Sequence, residues 1–586
     1  MKGAKSIFCD QCGAKNKDGS KFCTSCGARL SALEYNAYSD GSSSEGSVKP
    51  ETTVMVADKE DTKDYFGSTE STPGRKGINR KLIFGIVLAA VAVALICGAV
   101  SMFGKPDKKT VVRDRTKFPI IYVKSSDLMV KSEGNKEPFV VTSGGNYSSI
   151  NLKLTADGKT MFFAADPSSR DYRLYYRKVD EKTPKGKDAD SVGTRIATGV
   201  SSFDIQKEGK FVLYLKDGRL YYNNFKEERL ISRNVTFFYK SHDEKKVIFG
   251  KDDGNLYICG LGKKDEPEKI DSDVSISALV SPAGNYENLY YIKDSSLYLY
   301  QYGKDKKRLA RDVESASLVG GQLYIVKRDD FDETGGYKLY KLENEEEIEV
   351  ADGLLYSYLS SSDYNGGYYD LGDAALFFKM PEDYDGNFCE MYIINGNNPP
   401  FKAMDVEISG MKSYNFSFDG KYFYMIEEWD DLNNTGELYR YTVGTDSLKD
   451  RTRIHDEVSS FYVADKSVVI RTNTSRYTIL GIYADGKYTE LSDESGGSTH
   501  SGINGVLFYL DEYNDRDGTG TLMRYKNGKT EKIDTEVKSF EVRSDDYIIY
   551  IKDFSTRRNY GDLYYKKGGA KPVKVDTDVS YIVRVY

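Results

Sequence analysis

From residue 118 onward the chain repeats one short phrase. An apolar strand ends in an acidic or polar turn, and Leu-Tyr or a near equivalent then opens a second strand. Eleven copies can be counted, of which the clearest are YLKDGRLYY (214–222), FGKDDGNLYI (249–258) and YIKDSSLYLY (291–300). Strands this short between such dense turns predict β structure and exclude a solenoid of helical repeats.

A second marker precedes most copies, where a turn is followed by Val and a new strand. From Val200 the spacings to Val235, Val274 and Val313 are 35, 39 and 39 residues. Periods near 40 residues with four short strands each are typical of propeller blades. The prediction is an all-β domain of about eleven four-stranded blades. The usual upper limit of about eight blades in one ring favours two rings, for instance five plus six.

The two ends of the repeat region complement each other. The first copy begins at its second strand, Pro119–Lys124, and residues 578–586 (DVSYIVRVY) form an extra first strand with no blade after it. The C-terminal strand is therefore expected to complete the N-terminal blade, which would remove two exposed sheet edges. A two-sheet sandwich array is the alternative, but it does not explain why the surplus matches the deficit.

Three turn phrases carry a family resemblance. LTADGK (154–159), SPAGN (281–285) and FSFDGK (416–421) each lead into a strand. They resemble the repeats of TolB-like propellers and the propeller domains of prolyl-oligopeptidase-type proteins. The resemblance covers most of residues 118–586 and implies a propeller fold, whereas activity does not follow from it because one fold hosts many functions.

The N-terminus has a different chemistry. Within residues 7–30 two Cys-x-x-Cys pairs are separated by ten residues, and each pair is followed by Gly. Four thiolates so spaced can bind one Zn²⁺ tetrahedrally in a closed, structural site, and a segment this short needs the metal to fold. A redox dithiol is the alternative, but it normally occurs singly within a βαβ pattern. The predicted zinc ligands are Cys9, Cys12, Cys23 and Cys26. The segment resembles the short zinc-ribbon modules at the N-termini of many bacterial membrane proteins.

A linker and an apolar segment separate the two ends. Residues 31–80 are polar, poor in aliphatic residues and aperiodic, so a disordered linker is expected. Leu82–Phe103 is a run of 22 residues without a charge, and at 1.5 Å per residue it is long enough to cross a membrane as a helix. The predicted organisation is a zinc ribbon (1–30), the linker, one transmembrane helix (82–103), a juxtamembrane linker (104–117) and the repeat region (118–586).

The orientation of this segment is contested within the sequence itself. Four basic residues precede the apolar run from residue 75 onward and six follow it up to residue 117, so the positive-inside rule leans toward an external N-terminus. Zinc-binding thiolates, however, are safer in a reducing compartment, and a polar bulk after an internal span is commonly exported. A cytoplasmic N-terminus and an extracellular β domain at the cell membrane are expected.

Composition narrows the functional classes. A net charge of −7 argues against a general nucleic-acid binder. Two cysteines in the repeat region, Cys259 and Cys389, are too few for a disulfide scaffold and are predicted to be buried free thiols. The chain lacks the Gly-x-Ser-x-Gly motif of the peptidases that share such propellers. Its three histidines, His242, His455 and His500, lie in turn-like polar contexts and are interpreted as ordinary surface residues, so no enzyme is predicted.

Four longer acidic loops connect the second and third strands of their blades. They carry aromatic residues, which are Phe331, Tyr384, Trp429 and Tyr513. In a propeller such loops project from one face, so they are a candidate recognition surface; alternatively each ring folds back as local core. None of the loops keeps EF-hand spacing, and repeated acidic turns are more often solvated hairpins than Ca²⁺ sites or glycosidase carboxylates.

These patterns together predict a non-enzymatic, membrane-anchored binding or sensing protein. The propeller would recognise a cell-surface protein or polysaccharide, and the zinc ribbon would be a cytoplasmic docking module. The alternatives are an envelope hydrolase that acts on glycans or peptides from the propeller face, and a purely structural envelope scaffold.

Overall fold

The computed structural model describes residues 6–8 and 15–17 and then residues 115–584 with short gaps, which are 134, 136, 146, 149, 166–170, 182–192, 275–278, 281–283, 330–335, 362–370, 383–385, 409–412, 418, 465, 475–476 and 502–505. The predicted zinc ligands, the linker 31–80, the apolar segment 82–103, Phe331 and Tyr384 lie outside the described residues. Among the described residues no helix is long and apolar enough to cross a membrane. The chain divides into two compact units, Met1–Lys108 and Lys109–Tyr586.

The described part of the first unit is an antiparallel hairpin of β1 (Ser6–Phe8) and β2 (Lys15–Lys17). The second unit consists of strands apart from one short 3₁₀ turn, Arg115–Lys117, within its described residues. Its first eighteen strands are β3 (Ile120–Lys124), β4 (Asp127–Lys131), β5 (Phe139–Ser143), β6 (Leu152–Leu154), β7 (Thr160–Ala165), β8 (Tyr172–Lys178), β9 (Thr194–Ile205), β10 (Val212–Lys216), β11 (Arg219–Asn223), β12 (Glu228–Arg233), β13 (Val235–Lys240), β14 (Lys246–Lys251), β15 (Asn255–Gly260), β16 (Glu268–Ser272), β17 (Leu279–Val280), β18 (Asn288–Lys293), β19 (Ser296–Gln301) and β20 (Lys307–Arg311).

The remaining strands continue the same order. They are β21 (Val313–Val319), β22 (Gln322–Arg328), β23 (Tyr337–Glu343), β24 (Glu346–Leu354), β25 (Ala374–Lys379), β26 (Phe388–Asn395), β27 (Phe401–Glu407), β28 (Tyr414–Phe416), β29 (Tyr422–Asp430), β30 (Thr435–Val443), β31 (Leu448–Val458), β32 (Ser460–Val463), β33 (Ser467–Asn473), β34 (Thr478–Ala484), β35 (Lys487–Ser501), β36 (Leu507–Asn514), β37 (Thr519–Lys526), β38 (Lys529–Ser544), β39 (Tyr547–Ser555), β40 (Tyr560–Lys567) and β41 (Val573–Ile582).

These strands form eleven successive antiparallel sheets, numbered 1 to 11 from the N-terminal side. Strands β9, β35, β38 and β41 are long because each pairs on both sides, first as the last strand of one sheet and then as the first strand of the next. Sheet 7 has three strands, β25 to β27, and an isolated bridge between Ser360 and Leu376. The all-β prediction is confirmed, and its repeat unit is the four-stranded sheet.

The valine marker coincides with the passage from one sheet to the next. At eight of these passages, a residue with a left-handed backbone comes directly before a buried apolar residue. The left-handed residues are Gly199, Asn234, Asp273, Asp312, Gly353, Glu457, Glu536 and Asp578. Gly, Asn and Asp adopt this conformation at the lowest cost, which explains the turn residues of the repeated phrase. Val200, Val458, Val537 and Val579 are fully buried directly after the turn.

The C-terminal strand pairs with the first sheet, as the sequence predicts. Strand β41 is antiparallel to β3, with Tyr122 opposite Ile582 and Lys124 opposite Val579. Strand β41 therefore covers the edge of β3, so the described residues leave no unpaired strand edge where the two ends of the second unit meet.

Hydrophobic clusters lie between successive sheets. Eleven clusters each combine residues of one sheet with residues of the next, including one between sheet 11 and sheet 1. Two separate rings would require two pairs of successive sheets without a shared core. The division into two rings that the repeat count favours is therefore at odds with the clusters formed by the described residues.

A carboxylate clamp reinforces three of these junctions. Asp576 of β41 accepts hydrogen bonds from Tyr122 Oη and Lys124 Nζ, both at 2.6 Å. The same trio recurs as Asp271 with Tyr291 and Lys293, and as Asp534 with Tyr550 and Lys552, at 2.7–3.1 Å. In each case the Asp ends one sheet while the Tyr and Lys lie on the second strand of the next, so the carboxylate joins neighbouring sheets.

Both cysteines of the repeat region are confirmed as buried free thiols. Cys259 packs in the core between sheets 3 and 4, and Cys389 packs between sheets 7 and 8. Burial raises the pKa of each thiol to about 11. At neutral pH both are therefore protonated and behave as small apolar groups.

Candidate functional site

Three hairpins between second and third strands share one geometry. They are the β29–β30, β36–β37 and β39–β40 hairpins, and in each the strand register shifts before the turn. A residue with a left-handed backbone precedes an aromatic residue, giving the pairs Glu428–Trp429, Glu512–Tyr513 and Asp553–Phe554. This local irregularity in the hydrogen-bond pairing of the two strands sets the direction in which each aromatic side chain leaves the hairpin.

A glycine opposite each aromatic residue makes this geometry possible. A Cβ on Gly520 would lie 2.8 Å from the Asp511 carbonyl oxygen, and a Cβ on Gly561 would lie 2.6 Å from that of Lys552. Gly436 is in the same relation to the Glu427 carbonyl oxygen, also at 2.6 Å. The backbones approach too closely for any other residue.

The structure brings Trp429 and Tyr513 to equivalent positions in sheets 8 and 10. Both rings are partly buried: Trp429 packs against the core between sheets 8 and 9, and Tyr513 packs against the core between sheets 10 and 11. Tyr513 also lies over Gly496 of β35. Each ring thus has one face in the local core, which was the alternative interpretation, and presents part of its surface at the end of its sheet.

Phe554 is a third member of this set that the sequence interpretation missed. Its ring packs against the core between sheets 11 and 1. A usable signal was present, because the aromatic residue precedes the close-packed glycine by seven positions in all three hairpins. The predicted recognition loops are acidic, and this hairpin was not among them because its sequence, DFSTRRNYGD (553–562), contains two arginines.

A cleft of about 570 Å³ lies between the hairpins of sheets 10 and 11. Its walls come from both hairpins and from the passage between the sheets, and it is lined by Glu512, Asn514, Asp517, Thr519, Gly520, Thr521, Thr535, Glu536, Asp553 and Phe554. The β36–β37 and β39–β40 hairpins therefore border the same cleft. Thr521 donates a hydrogen bond to Glu512 at 2.8 Å, and Lys538 lies 5.3 Å from the Phe554 ring centroid.

A smaller cleft of about 310 Å³ lies beside Trp429. Its floor is apolar, from Met404, Val406, Met425 and Trp429, and its rim carries the carboxylates of Asp405, Glu407, Glu427, Glu428 and Asp431. Two cations partly compensate this rim. Arg451 pairs with Glu427 at 2.9 Å, and Lys402 pairs with Asp405 at 2.8 Å. At the hairpin tip beyond the cleft, Leu432 is 92% exposed.

The electrostatics of this cleft depend on buried phenols. The Tyr441 hydroxyl donates a hydrogen bond to Glu427, and burial together with this carboxylate raises the pKa of Tyr441. Arg451 lies 3.7 Å from the centroid of the Tyr439 ring. The cleft therefore combines fixed carboxylates, aromatic faces and thioethers, which suits recognition of an amphipathic or cationic group.

The prediction that the histidines are ordinary surface residues holds for His242, whereas His455 is half-buried. The His455 ring stacks on Tyr488 with 4.0 Å between ring centroids, and burial lowers the pKa of His455. His242 is exposed in the β13–β14 turn of sheet 4, as predicted, and its backbone amide donates a hydrogen bond at 2.9 Å to the Gly284 carbonyl oxygen in the β17–β18 turn of sheet 5. Within the described part of the chain, no group of three or more His, Cys, Asp or Glu side chains is arranged to bind a metal ion.

The N-terminal hairpin fits a zinc knuckle. Phe8 of β1 pairs with Lys15 of β2, so six residues that include Cys9 and Cys12 connect the two strands. A hairpin whose two strands are joined by a short segment with a Cys-x-x-Cys pair is compatible with a thiolate site. The donor set of four cysteines is soft and closed, which suits zinc.

Comparison with known proteins supports the description of the N-terminal segment. Residues 8–30 match the zinc-ribbon domain family, so the N-terminal segment is a zinc-ribbon domain. No curated protein matches the chain. Among solved structures, a eukaryotic initiation factor is similar at 9% identity and a TM-score of 0.34, with 75% of this chain and 98% of that chain covered.

Two peptidases are also among the similar structures. The tricorn protease is 11% identical with a TM-score of 0.24, and 78% of this chain and 57% of that chain are covered. Dipeptidyl peptidase 4 of Porphyromonas gingivalis is 9% identical with a TM-score of 0.29, covering 69% of this chain and 66% of that chain. At TM-scores this low, these likenesses carry no argument about the fold or the activity of this chain.

Proposed function

We propose that this chain is a non-enzymatic, membrane-anchored binding protein whose eleven sheets form a single closed ring. The cluster between sheets 11 and 1 and the pairing of β41 with β3 support the ring. The observation that carries the binding role is the 310 Å³ cleft beside Trp429, where an apolar floor meets five carboxylates. The ligand we favour is a cell-surface protein or polysaccharide segment that offers cationic and apolar groups.

Zinc would be held by Cys9, Cys12, Cys23 and Cys26, and it would supply the folding free energy of the ribbon. Four protein ligands leave no open coordination position, so the metal has a structural role. The ribbon would act as a cytoplasmic docking module, with Leu82–Phe103 crossing the cell membrane and the β domain outside. Protease treatment of intact cells tests this topology: digestion of the β domain supports it, and complete sparing reverses it.

Binding can be followed through Trp429, because it is the single tryptophan of the chain. Tryptophan fluorescence of the full chain is titrated with lysine-containing peptides and with soluble neutral and cationic polysaccharides. The test variant is the double substitution Glu428→Gln and Asp431→Asn at the rim of the cleft. The control is Asp446→Asn, which removes an exposed carboxylate from the β30–β31 turn of the same sheet.

We expect the rim variant to weaken binding by about tenfold, as loss of charge-assisted contacts implies, while the control stays within about twofold. If both variants weakened binding equally, the interaction would be a general attraction between charges, and the proposal of a specific binding site in the cleft would be contradicted. Turnover of any of these polymers by the unmodified chain would favour the hydrolase alternative. Absence of any fluorescence change across the panel would favour the structural scaffold.

A further inference from the structure

A second cleft lies at the opposite end of strand β29, between sheets 8 and 9. It has a volume of about 350 Å³, and its charged lining consists of Arg440 and Lys466 together with the carboxylates of Asp419 and Asp485. Tyr422, Tyr424, Tyr483 and Ser467 also line it, and Asp419 is paired with Lys421 at 2.8 Å. This cleft is separate from the hairpins, because Tyr422 and Asp430 are the two ends of β29. An inference drawn from it therefore does not depend on the proposed hairpin site.

The guanidinium of Arg440 lies in this cleft without a salt bridge to either of the two carboxylates that line it. It lies between two aromatic rings, with its central carbon 4.9 Å from the Tyr422 centroid and 5.6 Å from the Tyr483 centroid. Its Nε is buried and has no hydrogen-bond partner, and Arg440 forms no ion pair with any described residue. A buried donor without a partner costs roughly 1–3 kcal/mol, so the position is unfavourable for stability alone.

In sheet 10 the equivalent position is occupied by an arginine whose charge is compensated by carboxylates. Leu438 and Leu522 occupy matching core positions on the third strands of sheets 8 and 10, so Arg440 aligns with Arg524 two residues later. Arg524 pairs with Glu531 at 2.5 Å and with Asp546 at 2.7 Å. The backbone position is therefore compatible with a fully paired arginine.

Both carboxylates that compensate Arg524 are replaced around Arg440. In the strand register Arg524 is opposite Glu531, whereas Arg440 is opposite Thr452. On the following sheet, Asp546 lies two residues before the core residue Ile548, and Lys466 lies two residues before the matching Val468. One acid is thus replaced by a neutral residue and the other by a cation.

We propose that Arg440 and Lys466 form a binding site for an oxyanion, that is, a carboxylate or phosphate group carried by a ligand. The two tyrosine rings fix the plane of the guanidinium, so its edge can donate two parallel hydrogen bonds to such a group. Lys466 adds a second positive charge at the exposed rim. The ligand oxyanion occupies the role that Glu531 and Asp546 have in sheet 10.

The test uses the full chain and defined probes. Isothermal titration or phosphorus NMR line broadening follows inorganic phosphate, and titration calorimetry follows glucuronate and glucose 6-phosphate, with glucose as the neutral reference. Phosphate and glucose 6-phosphate report a phosphate source, and glucuronate reports a carboxylate source. The variants are Arg440→Gln and the aligned control Arg524→Gln, each of which removes one guanidinium from the same strand position.

We expect Arg440→Gln to weaken binding of the preferred probe by about tenfold or more, and Arg524→Gln to leave it within about twofold. The double variant Thr452→Glu with Lys466→Asp rebuilds the sheet 10 arrangement. It should abolish oxyanion binding and raise the melting temperature, because it supplies an internal counter-ion.

Three results would overturn the proposal. The first is binding that falls equally in Arg440→Gln and Arg524→Gln, which indicates attraction to positive charge in general. The second is binding that persists in the double variant. The third is the absence of any binding by the unmodified chain together with an unchanged melting temperature of the double variant, which shows that Arg440 is already compensated within the chain.

Discussion

The clamp at Asp576 offers a direct test of whether the last strand is stitched to the first sheet in solution. Asp576→Ala removes the acceptor of the Tyr122 hydroxyl, of Lys124 and of the Thr577 backbone amide. Tyr122 is fully buried, so its hydroxyl is left without a partner, which costs about 1–3 kcal/mol. The ion pair adds less than about 1 kcal/mol, since Lys124 is partly exposed. The expected loss is about 1–4 kcal/mol.

An internal control exists in the same molecule. Asp534 has the same three contacts, with Tyr550, Lys552 and the Thr535 amide, at a junction between consecutive sheets. Asp534→Ala should therefore cost about the same free energy. The two variants differ in one respect: the contacts of Asp534 are local in sequence, whereas those of Asp576 join residues about 450 positions apart.

Amide hydrogen exchange measures both effects locally. A loss of about 2 kcal/mol corresponds to roughly thirtyfold faster exchange from an open state. Asp576→Ala should accelerate exchange in β3 and β41, and Asp534→Ala should accelerate exchange in β38 and β39. If Asp576→Ala leaves β3 unchanged while Asp534→Ala has its full effect, the terminal strand is not paired in solution and the closed ring is wrong.

Three further predictions test other parts of the molecule. The pKa of Asp271 is lowered to about 2 by Lys306, Lys293 and Tyr291 against its burial, so its contribution to stability is present above pH 4 and is lost as the pH falls toward 2; Asp271→Asn should flatten the acid dependence of the melting temperature in that range. Removing zinc with a chelator, or Cys9→Ser, should release about one zinc ion per chain by metal analysis and leave the thermal transition of the second unit unchanged. Gly561→Ala should cost about 1–3 kcal/mol in urea unfolding through overpacking, whereas Gly569→Ala, with open space around it, should be nearly neutral.

The number and type of sheets could be predicted because each repeat is marked by residues that lie close together in the sequence. An Asp, Asn, Glu or Gly in a left-handed turn followed by a buried valine marks seven of the eleven passages, as at Asp312–Val313 and Glu536–Val537. Both signals act within a few residues of each other, so they survive in a single sequence. The division into rings could not be predicted in the same way, since it depends on which sheets share a core.

The candidate sites were harder to predict for a related reason. Trp429 and Tyr513 stood out by composition, but their half-burial depends on glycines seven residues later and on the neighbouring strands. Phe554 belongs to the same class with a basic instead of an acidic loop. Arg440 carried no sequence signal at all, because its environment is created by Thr452 across the sheet and by Lys466 on the next one.

Repetition makes it possible to separate structural from functional demands within one chain. A carboxylate that holds neighbouring sheets together recurs at three junctions, where Asp271, Asp534 and Asp576 have matching Tyr and Lys partners. At the Arg440 position stability would favour the paired arrangement of sheet 10, yet both counter-ions are replaced. A site that lacks both of these ion pairs but keeps a half-buried cation departs from the optimum for stability, and an external anion would supply the missing compensation. The oxyanion site therefore follows from the difference between two copies of one fold element.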